Sequence, residues 1–199
     1  LALFLLAVSA CGSAPEMKGA PPSELRVWVG ELANSDVAVG IAASSERSTF
    51  FFCGGDRSFV DHTHWFIDVG PLTDVMQLEE DTWHVSVTSA NERIAGTLVI
   101  DGLDDADFEA SPVTPGTLAG IYDARVPCGH AGLIVRQPAG GAAPVMQGTC
   151  LEADSGDTLV EQVNPVMPVM RGADSGIPAE LAVDPSQQFT LRPLSVQGI

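Results

Sequence analysis

TWHVSVTSANERIAGTLVI, residues 82 to 100, alternates Trp83, Val85 and Val87 against Thr82, His84, Ser86 and Thr88, turns at Asn91-Glu92, and resumes with Ile94, Leu98 and Ile100. A side-chain period of two sends one set to a buried face and the other to solvent, so the stretch reads as an antiparallel hairpin. The same signal spreads outward in both directions. Upstream, Leu25, Val27 and Val29 share a face, Asn34-Ser35-Asp36 turns the chain, and Val37, Val39 and Ile41 follow. Arg47 to Cys53 carries Phe50, Phe51 and Phe52 in a row, which predicts a strand buried on both faces and ended by Cys53-Gly54-Gly55-Asp56. Downstream, short strands are expected over 118–126, 131–137, 144–151, 158–163, 177–183 and 189–194, with a Pro-rich passage from Asn164 to Pro168. No long run has the 3.6-residue period of a helix. Roughly a dozen short strands predict an all-β, antiparallel sandwich or barrel, in one piece or two small lobes.

The chain has 199 residues, with 26 acids, 9 bases and a formal charge of -17; 45% of residues are hydrophobic and 18% charged. That composition buries a core and argues against disorder. Nine bases spread along the chain form no basic patch, so nucleic acid is not an expected partner. Residues 101–116, with Asp101, Asp104, Asp105, Asp107 and Glu109 ahead of Pro112 and Pro115, read as an acidic loop or linker between a lobe over 25–100 and a second over 117–199.

Residues 1–10, LALFLLAVSA, are too short for a membrane-spanning helix, which needs about 20 residues, and read as a signal-peptide core truncated at its start. Val8-Ser9-Ala10-Cys11 resembles the lipobox of bacterial lipoproteins. The resemblance implies lipidation of Cys11, cleavage before it, and a membrane partnership through that anchor. Gly12 at the second mature position, where Asp would signal inner-membrane retention, implies the outer membrane, facing periplasm or cell surface. Residues 11–24 then form the lipidated Cys and a Gly-, Pro- and Ala-rich tether. Residues 1–10 carry no charge, so the whole acidic excess belongs to the mature chain.

The body also resembles a group of uncharacterised exported bacterial β-domains. The matching motifs are Phe52-Cys53-Gly54, a strand with Trp65, Ala119-Gly120-Ile121-Tyr122, and a hairpin centred on Gly140 and Gly141. This likeness implies the fold and export and adds nothing about mechanism.

Three cysteines remain beside Cys11. In an oxidising compartment Cys128 and Cys150 are the expected disulfide, flanking a hairpin whose symmetric pairing about Ala139 sets them opposite each other. Cys53 is expected to be a buried small hydrophobe. His62 and His64 would project from one strand face, with His84 or Asp61 as a third ligand in a metal site; the competing reading is a solvated face over inward Phe59, Trp65 and Ile67. His130 reads as a turn residue. The acidic loop lacks the spacing of a Ca²⁺-binding loop, since Gly102 and Leu103 interrupt it. Asn91-Glu92-Arg93-Ile94-Ala95-Gly96 is similar to a stretch of sortase transpeptidases, and Gly148-Thr149-Cys150 to their Thr-Cys, but Thr97 stands where the required His belongs. Trp28 faces away from Leu25, Val27 and Val29 and is either an exposed platform for a glycan or protein ligand, or a core aromatic. The expectation is therefore a non-enzymatic envelope lipoprotein without a cofactor, working in binding or assembly. A metal-binding envelope protein comes second, and an envelope hydrolase or transpeptidase third.

Overall fold

The computed structural model describes residues 24–152, 159–169 and 176–195. Cys11, its lipobox and the tether up to residue 23 lie outside the described residues. Lobe 1 is built from β1 (Arg26–Leu32), β2 (Ala38–Ala43), β3 (Ser48–Cys53), β4 (His64–Phe66), β5 (Val75–Glu80), β6 (Trp83–Ala90), β7 (Arg93–Ile100) and β8 (Ala106–Pro112). They form one antiparallel sheet in the order β4-β3-β2-β1-β8-β7-β6-β5. Lobe 2 is a closed barrel, β10-β11-β12-β13-β14-β9, of β9 (Gly120–Val126), β10 (Gly129–Arg136), β11 (Val145–Glu152), β12 (Leu159–Pro165), β13 (Ile177–Leu181) and β14 (Gln188–Pro193).

The 82–100 stretch is the β6–β7 hairpin, in register from Trp83 opposite Ile100 to Ala90 opposite Arg93. Asn91 and Glu92 both take positive φ, 51° and 64°, as a two-residue hairpin turn requires. The Trp28 Nε1 donates to the Glu92 carbonyl at 2.8 Å, which ties that turn over the end of the core.

Sheet 1 curls until its two edges approach. Phe52 on β3 packs edge-on against Phe108 of β8 and tilts against Trp83 of β6, with ring centroids 5.7 and 5.9 Å apart. His64 on one edge strand stacks on Trp83, near the other edge, at 4.9 Å. The enclosed core holds Trp28, Leu32, Val39, Ile41, Phe50, Phe52, Phe66, Leu98 and Phe108. The barrel encloses a second core around Tyr122, Leu133, Val135, Ile177 and Leu191.

The outer faces of the two lobes form a third core. Ala38, Ala42, Phe51, Cys53 and Trp65 meet Ile121, Ile134 and Leu194. The Phe triplet thus divides by parity: Phe50 and Phe52 point into lobe 1, and Phe51 stacks flat on Trp65 in the seam at 3.9 Å. Small residues on β2 make room. A Cβ on Gly40 would lie 2.7 Å from Cγ1 of Ile121, so only hydrogen fits there.

Two expectations need correction. The 101–116 stretch is not a linker: β8 lies inside it and is a central strand, paired to β1 and to β7. Charge density hid a period of two, in which Phe108 and Ala110 are buried while Asp107 and Glu109 are exposed. Trp28 is not an exposed platform, being 3% accessible inside the lobe 1 core, because β1 is covered on both faces.

If the seam joins the lobes as described, Gly40→Val should destabilise the protein by about 1–3 kcal/mol through overpacking. Urea denaturation reads this directly, and an unchanged midpoint would contradict the Gly40–Ile121 approach.

Candidate functional site

The expected histidine pair does not sit on one strand. β4 begins only at His64, and His62 lies in the preceding loop with its backbone N–H on the Ser58 carbonyl at 2.8 Å. Gly54 and Gly55 open that loop, folding it back onto Asp36 and shortening β4. His64 pairs with Phe52 and shares its inward face, whereas His84 follows inward Trp83 and lies on the outer face, 3.7 Å from Asp101. The sheet therefore separates two of the three proposed ligands. Among the described residues no group of three His, Cys, Asp or Glu side chains is placed to hold a metal ion. Burial holds the His64 imidazole below its usual pKa, opposed by Glu80, whose carboxylate lies 3.5 Å from Nε2.

His130 is not a turn residue. It lies on β10, 7% accessible, with its ring stacked on Trp65 at 4.4 Å and Nε2 3.1 Å from the Asp123 carboxylate. It is a part of the seam that the sequence reading missed. The only available signal was its alternation with Ala131 and Leu133.

Cys128 and Cys150 form the disulfide as expected, but not by the expected register. β10 and β11 pair Ala131 with Cys150, so Cys128 sits three positions earlier, in the β9–β10 turn, and the bridge staples that turn to the barrel wall. Gly140 and Gly141 occupy the β10–β11 connection with positive φ, as a tight reversal favours. Cys53 is free and buried. Burial pushes its thiol up to about 12, against a smaller lowering by Thr149, whose hydroxyl is 3.6 Å away. A thiol so neutral at pH 7 is a core atom and not a nucleophile.

Where the curved lobes diverge from the apolar seam, they leave two clefts that share Arg136 and Val145. The first, about 600 Å³, lies between the outer face of β1 and β8 and the tip of the β10–β11 hairpin. Val29, Glu31, Asp107 and Glu109 line one wall and Arg136, Gln137, Pro138 and Val145 the other. Arg136 bridges the walls through an ion pair with Glu31. The second, about 470 Å³, is crossed by hydrogen bonds between the lobes. Gln147 donates to the Asp36 carbonyl at 2.7 Å and to the Cys53 carbonyl, and Gln162 donates to Asp56 at 3.0 Å. On the lobe 1 side Asp36 accepts from Ser58 Oγ at 2.6 Å and from the Arg57 backbone at 2.9 Å. Burial raises the Asp36 carboxyl, but these bonds and the Arg57 charge outweigh it and hold the pKa below the usual value.

The fold defines a class: a two-lobed, all-β protein in which a curled sheet and a closed barrel share a buried seam flanked by clefts. Comparison with protein-family models, with curated proteins and with solved structures finds no match in any of the three.

Two measurements check the cysteine assignments. Cys128→Ser should destabilise the protein by about 3 kcal/mol for a loop of this length. Native protein at pH 7 should leave Cys53 unlabelled by iodoacetamide until denaturant is added; rapid labelling of the folded state would refute the buried thiol.

Proposed function

We propose that the protein is a non-enzymatic binding module of the bacterial cell envelope, anchored through lipidated Cys11 and taking its ligand in the first cleft. The observation that carries this reading is the cleft itself. Its walls come from both lobes, the seam beside it is packed, and its volume falls in the range of about 300–1,000 Å³ usual for preformed ligand sites. The residues around it suit binding: carboxylates and an arginine for orientation, and Val29, Pro138 and Val145 for apolar contact. The other titratable groups with special surroundings serve packing. Cys53 is neutral and enclosed, and His130 is held between Trp65 and Asp123. The His62, His64 and His84 metal reading draws less support, since the sheet parts His64 from His84.

The anchor is supported by the lipobox-like Val8-Ser9-Ala10-Cys11 and by the Gly- and Pro-rich stretch between it and β1. That arrangement would hold the acidic body close to a membrane.

Two experiments test the proposal separately. Labelled palmitate should enter the full-length protein in its bacterial host and be lost on Cys11→Ser; label that persists in the variant refutes the anchor. Val145→Trp, at a position 41% exposed, should fill the cleft with little effect on folding. Envelope components screened by thermal shift should raise the melting temperature of the parent by about 5–10 °C at saturation and leave the variant unmoved. Equal shifts in both proteins would place binding elsewhere.

A further inference from the structure

We draw no further inference here: the strongest candidate, the side-chain cluster in which His64 on edge strand β4 reaches Trp83 and Glu80 beside the other edge of sheet 1, carries nothing, because any opening or tightening of that contact with pH rests on the imidazole pKa alone, which burial lowers and Glu80 raises.

Discussion

Three consecutive phenylalanines on a single short strand set the architecture. A strand that alternates can face one core and water; a strand carrying Phe50, Phe51 and Phe52 must be covered twice. Inside lobe 1, Phe50 and Phe52 are enclosed by the curl of the sheet, which brings Trp83 and Phe108 from distant strands within contact of Phe52. Outside it, Phe51 on Trp65 needs a partner surface, and the barrel supplies Ile121 and Ile134, fitted against Ala38, Gly40 and Ala42. Burying side chains of this size contributes about 1.5–3 kcal/mol each, so a seam of this composition holds the lobes together, and among the described residues no disulfide crosses it. The disulfide lies wholly within lobe 2.

The clefts follow from the same constraint. Two convex all-β bodies pressed together along a few strands touch in the middle and separate at the margins. At one margin amides from β11 and β12 cross the gap to bond lobe 1 carbonyl and carboxylate oxygens. At the other the ion pair of Arg136 with Glu31 spans an open groove. The clefts thus open where packing ends, on strands whose inner faces are committed to the cores.

Much of this was legible residue by residue. The hairpin over 82–100, the double burial of Phe50 to Phe52, the closing pair Cys128 and Cys150, and the inert Cys53 all follow from period, turn chemistry and composition. β8 was masked because Asp107 and Glu109 drew attention to charge, while the alternation of Phe108 and Ala110 between them was too short to stand out. The histidine pair failed for a different reason. Glycines at 54 and 55 let the chain loop back on Asp36, so the strand starts two residues later than the spacing of His62 and His64 requires.

What the amino-acid order determined alone is local: which segments are extended, where they turn, and which side chains share a face, since these depend on neighbours one or two residues away. Which face meets which partner was decided only in three dimensions. Trp28 alternates correctly with Val27 and Val29, yet both sets are covered, one by the lobe 1 core and the other by the seam. The opposition of Glu31 and Glu109, and the arrival of Arg136 from more than a hundred residues away, depend on strand order and on the docking of a second lobe. Pairing energies of that kind connect residues by register and curvature, which no short window of sequence contains.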